Sequence, residues 1–324
     1  MAQNIDQLSA YIEEALKNLD LESLRPQELY QPIRYGLEAG GKRIRPLLCL
    51  LCCQAAGGSL QEATPVALAY EIFHNFTLLH DDVMDNSPLR RGKPSVMSRF
   101  GSNAAILSGD AMLVWAYQML LGAHPNHADL LTPFSLMATQ VMQGQQWDMN
   151  FETTGEVSIP QYLEMIRLKT AVLLADAAAA GTRVAAVPPQ DTHLFYHFAL
   201  NLGMAFQLQD DYLDLFGDAR TFGKPIGGDV LEKKKTILYL LALQQADAQQ
   251  TQEIQDLYAM PRSFAAEKIQ LVADLFTHLG VKKRVKALVE EYLQESDRYL
   301  NRLAEGYDTH QLSLLGEKIR NRNV

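Results

Sequence analysis

The chain has 324 residues, of which 48% are hydrophobic and 21% charged, with 20 Gly, 13 Pro and a formal net charge of −9. Such globular composition excludes a disordered, collagen-like or low-complexity chain. The acidic balance, 38 Asp+Glu against 29 Lys+Arg, argues against nucleic acid as a partner, because that role needs a basic surface to displace counterions. Any anionic partner has to be met by local basic clusters.

Along the chain, Met1 to Leu19 lacks a basic start followed by an apolar core, so no export signal is expected there. Ile5, Leu8, Ile12, Leu16 and Leu19 step by three and four, which predicts an amphipathic opening helix. Cys49, Cys52 and Cys53 share one apolar run, with no second C-x-x-C pair and no His at finger spacing. They read as buried helical thiols in a reducing cytoplasm. Helical stretches are predicted at 64–84, 104–122, 131–150, 160–182, 191–217 and 230–246, with breakers at Gly57-Gly58, Asn86 to Pro94, Pro125, Pro188-Pro189, Gly223 to Gly228 and Pro261. The longest apolar stretches are cut by Asp176, Arg183 or Gln54, so no run of the ~18 residues a membrane span needs is expected. Alternating strand patterns are almost absent. The fold class predicted is all-α: one domain over residues 1–324, a large bundle around a central cavity, with the Ala-rich 171–187 segment inside it.

Two aspartate clusters stand out, Asp81, Asp82 and Asp85 (D-D-V-M-D) and Asp210, Asp211 and Asp214 (D-D-Y-L-D). In a helix each triplet offers carboxylates from one turn. A single copy would read as a solvated helix face, but both follow apolar sequence, where unpaired carboxylates are costly. Divalent metal answers that cost, and carboxylate oxygens completed by water and phosphate suit Mg²⁺. Basic clusters adjoin turns at Gly40-Gly41-Lys42-Arg43-Ile44-Arg45-Pro46, Arg90-Arg91-Gly92-Lys93, Gly223 to Asp229 and Lys233-Lys234-Lys235-Thr236. In an acidic protein these point to a small polyanion read by Arg and Lys. Lys282-Lys283-Arg284 reads as a solvated face.

The set G-G-K-R-I-R-P (40–46), His74, D-D-V-M-D-N-S-P-L-R-R-G-K-P (81–94), Lys169-Thr170, F-Q-L-Q-D-D-Y-L-D (206–214), G-K-P-I-G-G-D (223–229) and K-K-T (234–236) resembles the trans-polyprenyl diphosphate synthases of the farnesyl/geranylgeranyl type. The resemblance runs from about residue 30 to 245, with every motif in family order. It implies that Asp81, Asp82, Asp85, Asp210 and Asp214 bind Mg²⁺, three ions with substrate bound. It implies that Arg90, Lys169, Lys224 and Lys234 contact an allylic diphosphate, and that Lys42, Arg45, His74 and Arg91 hold the diphosphate of isopentenyl diphosphate. Thr170 and Gln207 would present oxygen dipoles to a developing allylic cation. Phe76, five residues before Asp81, and the small Thr77 would set a short product, C15 or C20 with a lean to C20.

The implied partners are isopentenyl diphosphate, allylic diphosphates and a second copy of the chain. Three other readings fit the motif set less well. A His-Asp phosphohydrolase built on His74 and His80-Asp81 leaves the second D-D-x-x-D unexplained. A class I terpene cyclase usually carries Asn and Ser or Thr at the second metal motif, where this chain has Asp210, Asp211 and Asp214. A non-catalytic prenyltransferase subunit usually lacks aspartates that this chain keeps.

Overall fold

The computed structural model describes residues 3–123, 128–217 and 226–322. Among them the strands are β1 (Leu89–Arg90) and β2 (Lys93–Pro94), an antiparallel pair, and nearly all other regular structure is helical. The first helices are α1 (Ile5–Lys17), α2 (Gln27–Glu38), α3 (Ile44–Ala55), α4 (Leu60–Met84), α5 (Val96–Phe100) and α6 (Ser102–Ala123). There follow α7 (Ala128–Thr153), α8 (Ile159–Ile166), α9 (Val172–Val184) and α10 (Pro189–Phe216). The last are α11 (Gly228–Leu231), α12 (Ile237–Gln245), α13 (Ala248–Ala259), α14 (Ala265–His278), α15 (Val281–Leu303) and α16 (His310–Arg320). The all-α expectation holds.

Local chemistry starts these helices where the sequence suggests. Asn4 with Gln7 and Ser158 with Gln161 form capping boxes at α1 and α8, and the Ser59 hydroxyl accepts the Glu62 N–H at the start of α4. Two expectations need correction. The predicted 160–182 helix contains a π-helical turn, Arg167–Ala171, between α8 and α9. The predicted 230–246 helix is broken into α11 and α12. Lys233 adopts a left-handed φ of 60°, and the Lys234 N–H reaches back to the Asp229 carbonyl at 2.8 Å. That is a Schellman ending, and it lets the Lys235 ammonium turn away to donate to the Phe151 carbonyl at 2.9 Å.

The chain clusters into two compact units built from discontinuous segments. The first comprises residues 1–136, 174–196 and 300–313; the second 137–173, 197–299 and 314–324. In the first unit α4 lies against α3 and α6, and Tyr70 and Phe73 are fully buried. The run Ala177 to Ala180 is buried because helix backbones meet there: a Cβ on Gly181 would stand 1.9 Å from the Cys49 carbonyl oxygen. Asp176, which interrupts that apolar run, accepts from Tyr70 at 2.6 Å and Arg183 at 2.9 Å. Its buried charge is therefore paired.

The expectation of no sufficiently long apolar stretch fails for α6, which is long and apolar enough to cross a membrane by length and composition. One of its faces, with Ala105, Ser108, Gly109, Met112, Ala116 and Leu120, is buried within the first unit. The other exposes Leu107, Val114 and Leu121.

In the second unit α10 buries Phe198, Leu202, Ala205 and Leu208, and the Ser296 hydroxyl donates to the Phe198 carbonyl at 2.9 Å. Glycines permit two close approaches to the π-helical turn. A Cβ on Gly144 would lie 2.3 Å from the Lys169 nitrogen, and one on Gly203 would lie 2.9 Å from the Ala171 Cα. The three cysteines are free and buried as expected. Burial pushes the Cys53 thiol up to about 11 and holds the others higher still. Since the thiolate is the nucleophile, the native protein at pH 8 is expected to resist iodoacetamide. All three thiols should react in denaturant, and rapid native labelling by mass spectrometry would contradict this packing.

Candidate active site

In the first unit, the last turn of α4 carries Asp81 and Asp82, and Asp85 is its C-cap. Asp81 is half-buried and Asp85 exposed, one turn apart, while Asp82 is rotated inward and buried. The Asp82 carboxylate accepts from Arg90 Nε at 2.9 Å and Nη2 at 2.5 Å. Burial pushes its carboxyl up, against the opposing pull of Arg90. Asp81 and Asp85 thus project as the outward oxygens, and Asp82 positions Arg90.

The next residues form a two-residue hairpin turn. Arg91 and Gly92 have φ of 52° and 76°, the double left-handed geometry that matches strand twist. It folds Arg91 back onto the Gly40-Gly41 turn, where a Cβ on Gly41 would lie 2.7 Å from an Arg91 guanidinium nitrogen. Arg43, Arg45, Arg90 and Arg91 all act on His74. Burial, then Arg45 and Arg91, hold its imidazole well below the usual range, so it is neutral at pH 7 and one ring nitrogen can donate. Lys42 is exposed in the adjoining turn. The predicted residues for one diphosphate therefore gather around one guanidinium-rich corner. A cavity of about 20 Å³ beside it is lined in part by Asn75, Asp82, Arg90 and Arg91.

His80 takes no part in this. Its Nε2 lies 3.1 Å from the Ile106 carbonyl and 3.6 Å from Asp110, and its ring packs on Gly109. The His80-Asp81 dyad that motivated a phosphohydrolase is thus turned apart.

In the second unit, a cavity of about 130 Å³ is lined by Lys169, Thr170, Gln207, Asp211, Asp229 and Lys234 among others. The π-helical turn carries Lys169 and Thr170, and such insertions concentrate at functional positions. Lys169 Nζ donates to Asp148 at 2.5 Å. The Thr170 hydroxyl donates to Gln207 Oε1 at 3.0 Å, and Gln207 Nε2 donates to Asp211 Oδ1 at 3.0 Å. Tyr162 donates its hydroxyl to the other Asp211 oxygen. Burial raises the Asp211 carboxyl to about 7, although Tyr162 and Gln207 oppose the shift. Asp211 therefore orients the Gln207 amide.

Its neighbours are also engaged. Asp210 accepts from Arg322 Nη2 at 2.7 Å, and that guanidinium lies 4.2 Å over the Phe206 ring. Asp214 accepts the Asp229 N–H at 3.0 Å. Burial and the like charges of Asp214 and Asp211 push the Asp229 carboxyl well up, with Lys234 opposing. That local excess of negative charge is one a cation would relieve. Among the described residues, no three acidic, His or Cys groups close around one point. Lys224 lies outside the described residues.

Sequence reasoning missed Asp148, Tyr162 and the Arg43–Glu71 pair, and assigned no role to Asp229 within G-K-P-I-G-G-D. Asp229 was within sight as the acidic end of that motif. The other pairings join residues far apart in the chain, and local spacing carries no sign of them.

Comparison with known proteins places this architecture. Residues 26–275 match the family model for polyprenyl synthetase, and the chain belongs to that family. Geranylgeranyl diphosphate synthase from Methanosarcina mazei is 32% identical over 304 residues, covering 93% of this chain and 91% of the relative. A crystal structure of a geranylgeranyl pyrophosphate synthase superposes with a TM-score of 0.92 at 39% identity, covering 98% of this chain and 97% of the other. That of the Corynebacterium glutamicum geranylgeranyl pyrophosphate synthase, complexed with isoprenyl diphosphate and magnesium, gives 0.86 at 27% identity, covering 99% and 100%.

Proposed function

We propose that the chain is a short-chain trans-prenyl diphosphate synthase. It joins isopentenyl diphosphate to allylic diphosphates of C5 to C15 and forms farnesyl or geranylgeranyl diphosphate, with the lean to C20. The observation that carries this reading is the second unit's cavity. Lysines and carboxylates stand there beside Phe151, Met165 and Ile166, a polar end for a diphosphate against an apolar wall. In this reading all 324 residues serve as one domain, since each unit holds only part of the motif set.

The donor set fits Mg²⁺. Asp81 and Asp85, and Asp210 and Asp214, would hold it through hard carboxylate oxygens, the ligand type Mg²⁺ takes. The expected load is three ions with substrate. Bound Mg²⁺ supplies extra neutralisation of the diphosphate as negative charge builds on it. Lys169, Lys234 and Arg90 receive that charge on the leaving group as the allylic C–O bond breaks and its electrons pass to oxygen. Thr170 and Gln207 turn oxygen lone pairs toward the allylic carbon that becomes positive. Lys42, Arg45, neutral His74 and Arg91 hold the second diphosphate so that its alkene attacks that carbon. The proton then lost goes to the departed diphosphate, and the apolar wall excludes water. No protein nucleophile is required.

The deciding experiment is incubation with Mg²⁺, isopentenyl diphosphate and each of the C5, C10 and C15 allylic diphosphates, with products sized by mass spectrometry. A discrete C15 or C20 diphosphate that disappears with EDTA is expected. Folded protein that elongates no primer would sink the reading.

A homodimer also belongs to this proposal. Leu107, Val114 and Leu121 are 61%, 56% and 49% exposed at seven-residue intervals on α6, an apolar stripe of the kind a partner covers. Sedimentation equilibrium should show a dimer that Val114→Glu weakens; a wild-type monomer would overturn it. The buried free thiols fit a reducing cytoplasm.

A further inference from the structure

The turn that carries Lys42 and Arg45 is held by a residue with no role in the function proposed above. Gly40 and Gly41 have φ of 82° and 141°, so the upstream side of the turn has little steric restraint of its own. Downstream, Arg43 is the N-cap of α3 with φ 47° and ψ 36°, a left-handed conformation that a non-glycine residue keeps only when its surroundings impose it. What imposes it is the guanidinium. Its side chain is 3% exposed. Nε donates to Glu13 on α1 at 2.8 Å, Nη1 to Glu71 on α4 at 2.5 Å, and Nη2 to the Leu37 carbonyl near the end of α2 at 2.5 Å. Glu71 is fixed in turn by Asn75, whose Nδ2 lies 3.1 Å from its carboxylate. One planar fork thus ties three helices to the residue that directly follows Lys42.

We infer that Arg43 is a positioning residue for the isopentenyl diphosphate site, and that Glu13 couples the N-terminal helix to that site through it. This rests on the functional reading above. If the fork is lost, Arg43 relaxes toward an ordinary conformation, the Lys42–Arg43 peptide rotates, and Lys42 and Arg45 no longer face one anion together. Lysine cannot replace the fork, because a single ammonium does not present three donors in one plane. Helix α1 precedes residue 26, where the family match begins, so this clasp brings an element outside the matched region to bear on substrate binding.

The test uses Arg43→Lys and the milder Glu13→Ala, whose side chain is 40% exposed. Expected is a rise in KM for isopentenyl diphosphate of about threefold to fivefold for Glu13→Ala, the upper end for one partly exposed ion pair, and a rise of about tenfold or more for Arg43→Lys, which loses the whole fork. KM for the allylic diphosphate and kcat should stay within about twofold of wild type in Glu13→Ala. Calorimetric titration of isopentenyl diphosphate into the metal-free protein reads the same loss without turnover. An unchanged affinity in folded Arg43→Lys, or an equal rise in KM for both substrates, would overturn the positioning role, and an unchanged affinity in folded Glu13→Ala would overturn the coupling to α1. If the wild-type chain elongates no primer, the functional reading fails by itself, and the calorimetric comparison still decides whether Arg43 and Glu13 shape an anion site.

Discussion

Lys169→Met is expected to lower kcat by ~10²–10³-fold, the scale seen when one preorganised group aimed at developing charge is removed. KM for isopentenyl diphosphate should change little, because the proposed role of Lys169 is at the leaving group of the other substrate. The effect is expected to be electrostatic rather than structural. The Lys169–Asp148 pair is part-buried, at 27% and 28% exposure, so water still reaches the Asp148 carboxylate when the ammonium is removed. The backbone at Lys169 is set by the π-helical turn and by its contact with Gly144, and neither depends on the ammonium. Methionine keeps the aliphatic stem and removes the charge. Steady-state kinetics with both substrates varied, together with a thermal melt, check this. A kcat within about twofold of wild type would remove Lys169 from the chemistry.

Phe76→Ala is expected to lengthen the product. Phe76 is 5% exposed on α4, one turn and a residue before Asp81. Its ring lies 5.4 Å from Phe73 and 4.7 Å from His80. Beyond it the aromatic packing continues, with Phe134 at 5.2 Å from Phe73, 5.3 Å from Tyr70 and 5.0 Å from Tyr117. Removing Phe76 opens the first layer only. In the proposed reading Phe73 and Phe134 are the next rings in the path of the growing chain, so a product one isoprene unit longer is expected rather than an open-ended series. The substitution costs ~3–5 kcal/mol of stability if the site stays empty, and Phe76→Leu is the milder companion. Chromatography of the products decides: unchanged length in both folded variants would remove Phe76 as the stop.

Much of this was legible along the chain, for a physical reason. Helical period is a local property, so α1, α4, α6, α7 and α10 emerged from the spacing of apolar residues. Charge clusters beside turns are local too, which is why Asp81 to Asp85, Arg90-Arg91 and Lys42 to Arg45 stood out. The failures came where local signals compete with packing. The 230–246 prediction followed apolar spacing across Lys233-Lys234-Lys235, but the Lys235 ammonium reaches the end of α7 and the helix ends at Leu231 instead. Helix α6 is longer and more apolar than its interruptions suggest, and only part of its apolar surface is buried in the unit that contains it.

The kinds of chemistry present, carboxylate clusters for a cation and basic turns for a small polyanion, follow from residue type and spacing, because both act within a turn or two of helix. Which member of each cluster does what was decided by tertiary contact. Asp82 and Asp211 carry the same label as their neighbours in sequence, yet one is turned inward to Arg90 and the other holds Gln207 and Tyr162. Arg43 reads as one more cation in a basic run, but its guanidinium is bound by Glu13 and Glu71, 30 and 28 residues away, as well as by the Leu37 carbonyl nearby. Side-chain direction and burial set those roles, and burial depends on partners such as Tyr162 and Glu71 that the chain brings in from far apart.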